Sequence, residues 1–193
     1  MPPSRREELV ETAMRVFYSR GFHSSGVDAI LQEGGISRMT LYNHFKSKDE
    51  LIVAALRRRD EVFRNRLMKF VDAAGGSARE RVLAVFDYHE QWFTRNDFRG
   101  CMFINASAEF SDPACAIRRA AAEHKREVVR YLTGLCRECG VPRPERVAEQ
   151  LNILLEGAIV TAHVVGQVQE GDSDMGASAR LAREMAEAIL ARA

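Results

Sequence analysis

Between positions 37 and 45 the chain gathers side chains that suit the reading of a polyanion. Arg38, Thr40, Tyr42, Asn43 and His44 follow the turn Gly34-Gly35-Ile36-Ser37 at spacings that put them on one short helix, while Leu41 and Phe45 can face inward. Hydroxyls and amides so presented can meet base edges or phosphate oxygens, and cations hold the backbone of a duplex. A second set is apolar with a few polar interruptions: Phe86, His89, Trp92, Phe93, Met102, Phe103, Asn105, His124 and His163. Aromatic walls with sparse polar groups suit a small apolar molecule. An aromatic at helical spacing is more often packing than pocket; Asn105 and His163 stand out because each interrupts an apolar run and needs a hydrogen-bond partner if buried.

Other chemistries find little support. Cys136-x-x-Cys139 offers two ligands, but no second Cys/His pair follows at zinc-site spacing, and His124 lies twelve residues upstream. The four cysteines are expected to be small structural residues, with thiol sensing a minor alternative. No glycine-rich phosphate loop, nucleophile elbow or HExxH motif occurs, so neither an enzyme nor a bound cofactor is expected.

The elements that must position these residues read as helical throughout. The pattern predicts an all-α chain of nine helices over about 4–20, 27–34, 38–44, 48–73, 78–95, 101–109, 113–139, 144–170 and 175–191. Ser4 with Glu7, Ser25 with Asp28 and Ser47 with Glu50 have the spacing of a capping box or its Asp variant, and Ser37 is a further N-cap. Pro113 and Pro144 fit first helical turns. Two short helices joined by a Gly-containing turn form a helix-turn-helix, although the same pattern also suits an all-helical protein with no nucleic-acid role.

The balance of 28 Lys+Arg against 27 Asp+Glu, a formal net charge of +1, excludes a uniformly basic coat but not a local patch. Residues 1–60 carry 10 basic against 8 acidic groups; residues 61–193 carry 18 against 19. The apolar stretch 157–169 is too short for a membrane span. The N-terminus lacks the apolar core of a signal peptide, so a cytoplasmic location is expected.

The segment Gly21-Phe22-His23-Ser24-Ser25-Gly26-Val27-Asp28-Ala29-Ile30, followed by Gly34-Gly35-Ile36-Ser37-Arg38-Met39-Thr40-Leu41-Tyr42-Asn43-His44-Phe45-Lys46-Ser47-Lys48-Asp49-Glu50-Leu51, resembles the DNA-binding domain of TetR/AcrR-type transcriptional regulators. The resemblance covers about the first quarter of the chain. It implies a helix-turn-helix domain over 1–50 and a larger helical domain over 51–193 that binds an effector and dimerises. It implies that Ser25 caps the second helix and that Arg38–His44 form the recognition helix. Arg38, Met39 and Thr40 then approach bases, Tyr42, His44 and Lys48 lie near phosphates, and Asn43 is a further base-edge candidate; Ser37 and Ser25 complete the DNA-side set. Two departures stand out. Gly35 follows Gly34 where the family often has Ala-Gly, and Met39 occupies a place that is frequently small.

Residues 151–168 are apolar around most of a helix: Leu151, Ile153, Leu154, Leu155, Ala158, Ile159, Val160, Ala162, Val164, Val165 and Val168. Such a helix needs several covering surfaces. A partner subunit is an economical one, with Leu181, Met185, Ala188, Ile189 and Leu190 of the last helix beside it. The resemblance agrees, because the last two helices of the family usually form a four-helix bundle across a homodimer. Arg99-Gly100-Cys101-Met102-Phe103-Ile104-Asn105-Ala106, with Glu109-Phe110 and Asp112-Pro113, is similar to the sixth-helix region of one regulator subgroup. The expected protein is a dimeric repressor of a palindromic double-stranded DNA operator, released by an apolar or aromatic effector. The rival readings are an activator-type regulator without a small-molecule effector, and a helical binding protein that no longer reads DNA.

Overall fold

The computed structural model describes residues 3–165 and 174–193; among them the chain forms nine helices and no strand. In order these are α1 (Arg5–Arg20), α2 (Val27–Gly34), α3 (Arg38–His44), α4 (Lys48–Ala74), α5 (Ala78–Phe93), α6 (Met102–Glu109), α7 (Ala116–Glu138), α8 (Pro144–Val164) and α9 (Ala177–Arg192). The all-α expectation is met. The predicted continuation of the eighth helix over 166–170, with Val168, lies outside the described residues, as do residues 171–173 of the polar turn after it.

Local chemistry explains most helix starts. Ser4 and Glu7 close a reciprocal capping box on α1, the Ser4 amide donating to the Glu7 carboxylate at 2.7 Å. Ser77 and Glu80 do the same for α5. Each satisfies amides the first turn leaves without helical partners. Helix α7 begins three residues later than expected. Asp112 accepts the Ala114 amide at 2.8 Å and holds Pro113 in a turn, and the Cys115 sulfur then accepts the Arg118 amide at 3.3 Å.

The chain packs into two compact units. The first comprises residues up to 63 together with 102–124, so α6 and the opening of α7 join α1, α2, α3 and the first half of α4. Its core includes Leu9, Phe17, Phe22, Ile30, Leu41, Leu51 and Ile52, all essentially inaccessible. Phe17 and Phe22 stack at 5.4 Å, and Phe110 meets Phe22 edge-on at 6.0 Å. Arg59 covers the Tyr18 ring at 4.5 Å, using an aromatic face to hold a cation at the surface.

The second unit comprises 64–101 and 125–193. Here α9 packs against both α5 and α8. The buried Ala179, Ala182 and Ala186 give α9 a shallow face that lets its neighbours approach. The Ser178 hydroxyl donates to the Ala158 carbonyl at 3.0 Å, and Arg183 pairs with Asp87 at 2.8 Å. Lys125 donates to both carboxylate oxygens of Glu156 at 2.7 Å and to the Cys101 sulfur at 3.4 Å. Burial alone pushes the Lys125 ammonium down, but Cys101 and Glu156 hold it above its ordinary value. Removing either Lys125 or Glu156 leaves the other charge half-buried and without this partner.

Candidate nucleic-acid interface

The apolar pair Ile30 and Leu31 seats α2, and Gly35 ends it in the left-handed conformation with φ of 59°. A side chain there pays about 1 kcal/mol in strain; at Gly34, where the family often has alanine, an added Cβ would fall 2.9 Å from the Ile36 side chain. Ile36 is buried behind the turn. Ser37 then caps α3, its Oγ accepting the Thr40 amide at 3.1 Å and lying 2.9 Å from the Thr40 hydroxyl. Leu41 and Phe45 face inward as expected, and the Arg6 guanidinium lies 5.1 Å from the centre of the Phe45 ring.

With the inner face so anchored, Ser37, Arg38, Met39, Tyr42, Asn43 and His44 are exposed, and Thr40 is half-buried. Met39 is 73% exposed and Tyr42 56%, large apolar groups left in water on a helix that has a core available. Arg38 is paired with Asp28 of α2, a partner that sequence reading did not supply. Lys48 is the first residue of α4 and half-buried. The Ser47 hydroxyl accepts the Glu50 amide at 3.2 Å, while the Glu50 carboxylate reaches the Lys46 amide at 2.7 Å rather than that of Ser47.

Ser25 requires correction. It does not cap α2, whose N-cap is Gly26 with no side-chain bond. Its hydroxyl instead donates to the Gly21 carbonyl at 2.6 Å, and the residue is 1% exposed. The hydroxyl closes the α1–α2 turn internally and faces neither the helix terminus nor solvent.

The nine aromatic and polar residues considered for a small-molecule site divide between the units. Phe86, His89, Trp92, Phe93 and His163 belong to the second; Met102, Phe103, Asn105 and His124 belong to the first. In the second unit Phe86, His89, Trp92 and Phe93 are buried, with Trp92 edge-on to Phe98 at 5.1 Å and His89 Nδ1 2.7 Å from the Val85 carbonyl. His163 is half-buried at the end of α8, over the backbone of Gly100, and a Cβ on that glycine falls 2.4 Å from His163 Nδ1. Burial and the charge of Arg99 push the His163 imidazole below its ordinary value. In the first unit the buried His124 stacks on Phe103 at 3.6 Å, and its Nδ1 lies 2.7 Å from the Asp60 carboxylate. Met102 is buried and Asn105 half-buried.

All four cysteines are free. Burial pushes Cys136 up to about 11 and also raises Cys139, so both are protonated thiols at neutral pH. Cys101 is buried, as its reading as a small buried residue expects, and so is Cys136; Cys115, read in the same way as Cys101, is only half-buried, as is Cys139. Among the described residues no group of three His, Cys, Asp or Glu is placed to hold a metal ion. No described helix is long and apolar enough to cross a membrane.

Comparison with known proteins bears on this geometry. Residues 9–55 match the model of bacterial regulatory proteins of the tetR family, and residues 78–177 match a tetracyclin repressor-like C-terminal domain. A TetR-family transcriptional regulator from Streptomyces coelicolor superposes with a TM-score of 0.85 at 30% identity, over 97% of this chain and 94% of that one. The repressor NemR of Escherichia coli is 28% identical over 129 residues, which are 66% of this chain and 65% of NemR; the match therefore spans just under two thirds of that protein. The activator FasR of Mycolicibacterium smegmatis is 46% identical over 54 residues, covering 28% of this chain and 25% of FasR. These relatives are transcription regulators rather than enzymes. Two family models that together span the helix-turn-helix and most of the remaining chain place it plainly: the protein belongs to the tetR family of bacterial regulatory proteins.

Proposed function

We propose that the chain is a cytoplasmic, homodimeric repressor that reads a near-palindromic operator with α3 and releases it on binding a small apolar molecule. The observation that carries DNA reading is the outer face of α3. A capped, seven-residue helix anchored by Leu41 presents Arg38, Met39, Tyr42, Asn43 and His44 to solvent. In this reading Arg38, Met39 and Thr40 meet base edges, with the Met39 thioether against a thymine methyl. Tyr42, His44 and Lys48 hold phosphates, Lys48 together with the amide end of α4. Two copies of α3 enter successive major grooves about 34–36 Å apart.

The dimer is supported by α8 and α9. Ile153 is 69% exposed, Val164 61% and Leu181 59%, with Val160 and Met185 also outward. Clustered aliphatics on two neighbouring helices mark an association surface. Random-site selection followed by gel shift tests the whole reading. The expected result is a selected duplex with two inverted half-sites, bound by a dimer with strong salt dependence. Failure to prefer any duplex over bulk competitor would overturn DNA reading.

An activator, or a regulator with no small-molecule effector, is the second reading. The mutual packing of Trp92, Phe93 and Phe98 favours it, since rings in contact leave little lining for a guest. A screen of apolar and aromatic compounds for release of the selected duplex separates the two. Release by any compound that also raises the Tm supports the sensor; a complete absence of both effects favours the second reading.

A further inference from the structure

One carboxylate in the first unit is spent on backbone far from it in sequence. Glu109, the last residue of α6, accepts the Phe22 amide with Oε1 at 2.9 Å and the His23 amide with Oε2 at 2.6 Å. Oε2 also lies 2.9 Å from His23 Nδ1. The next residue, Phe110, stacks on the His23 ring at 4.7 Å. Together they grip the turn between α1 and α2 from a segment more than 80 residues away. Within the turn itself the Ser25–Gly21 bond is local. Glu109 thus supplies the long-range polar tie at the point where the chain enters the helix-turn-helix.

We infer that Glu109 is a positioning residue for DNA reading: its carboxylate latches the α1–α2 turn and thereby sets how α2 and α3 are presented. This deepens the proposed function and rests on it. Val27, the first residue of α2, lies four residues beyond the second latched amide, and α2 and α3 both pack on α1. Here the two amides meet separate oxygens, and a carboxamide in the same place would turn its NH2 donor toward one of them. Charge-assisted bonds to backbone amides are also stronger than neutral ones. Burial alone pushes the Glu109 carboxyl up; the Phe22 and His23 amides and the His23 ring outweigh it and hold the group below its ordinary value.

The test uses the full-length protein and the duplex recovered by random-site selection, with a scrambled duplex as competitor. Glu109→Ala is expected to weaken the selected complex about tenfold while leaving scrambled-duplex affinity and salt slope unchanged. Amide exchange at Phe22 and His23 should quicken at least tenfold and should quicken along α2 as well. Glu109→Gln, retaining one acceptor, should fall between. Val147→Ala, a buried α8 change chosen as a stability control, should lower the Tm without changing the ratio of the two affinities. Wild-type selectivity in Glu109→Ala despite faster exchange would reduce Glu109 to a structural tie, and unchanged exchange would remove the latch altogether. Should Glu109→Ala fail to fold, Glu109→Gln carries the same two readouts. If the wild type selects no duplex, DNA reading fails separately, and exchange at residues 22–23 and along α2 and α3 still decides the latch.

Discussion

Helix α3 and the pair α8–α9 both leave large apolar side chains in water, yet the two surfaces differ in what surrounds those groups. On α3, Met39 and Tyr42 sit among Arg38, Asn43 and His44. On α8–α9, Ile153, Val160, Val164, Leu181 and Met185 are mostly unbranched or β-branched aliphatics on helices that bury their other faces. An apolar group interleaved with donors and cations can meet a thymine methyl while its neighbours hold phosphates and base edges. A run of aliphatics gains chiefly from removal from water, at about 25 cal/mol per Å². Exposure alone therefore does not identify a surface; the chemistry beside it does.

That contrast can be broken most forcefully on α9. Leu181→Asp should abolish the dimer and weaken the selected duplex on the order of 1000-fold, because the second half-site loses its tethered reader. Sedimentation and gel shift on the same sample check both. A monomer that kept full affinity would detach the aliphatic surface from function.

Gly100→Ala probes the interior of the same unit. Its φ of 74° disfavours any side chain, and the added Cβ meets the His163 ring. Together these should cost about 3 kcal/mol of stability, read by denaturant unfolding, with no change in the preferred DNA sequence. A change of sequence preference would mean that the two surfaces are not independent.

On the reader side the expected effects are smaller. Lys48→Ala should weaken all duplexes roughly fivefold to tenfold and reduce the salt slope of the dimer by about 2, one contact per subunit, and Tyr42→Phe should act in the same uniform manner but more mildly. Changes at Met39 or Thr40 should leave scrambled-duplex affinity intact and shift the preferred base by about 1 kcal/mol in a repeated selection. Equal losses on selected and scrambled duplexes at all four positions would erase the division between phosphate and base contacts.

The fold was largely legible because its signals are local. Periodic apolar residues marked the helices, and Ser4, Ser37 and Ser47 announced their starts within three or four residues. The same local grammar misled at Ser25, where the spacing to Asp28 matched a cap but the nearby Gly21 carbonyl captured the hydroxyl. It also went unread at Ser77–Glu80, which carries the signature in full. The Asp112 turn delayed α7 in a way that a proline at the expected start concealed. At the site, the outward set on α3 followed from the inward anchors Leu41 and Phe45. The Arg38–Asp28 pair and the Glu109 latch did not, for both join residues from different elements and helical periodicity carries no record of such partners. The aromatic set likewise could be chosen by type, but its division between the two units depends on where α6 packs.

The seat of His163 over Gly100 has a consequence for how the sequence can drift. The ring fills the space where any other residue at position 100 would put its first carbon. Substitution there is a one-way door: a larger residue, already strained by the φ of 74°, also meets the ring unless position 163 has lost it, whereas position 163 can shrink while the glycine stays. Among related chains with this backbone, glycine should therefore accompany every aromatic at position 163, and each replacement of the glycine should be found beside a small side chain.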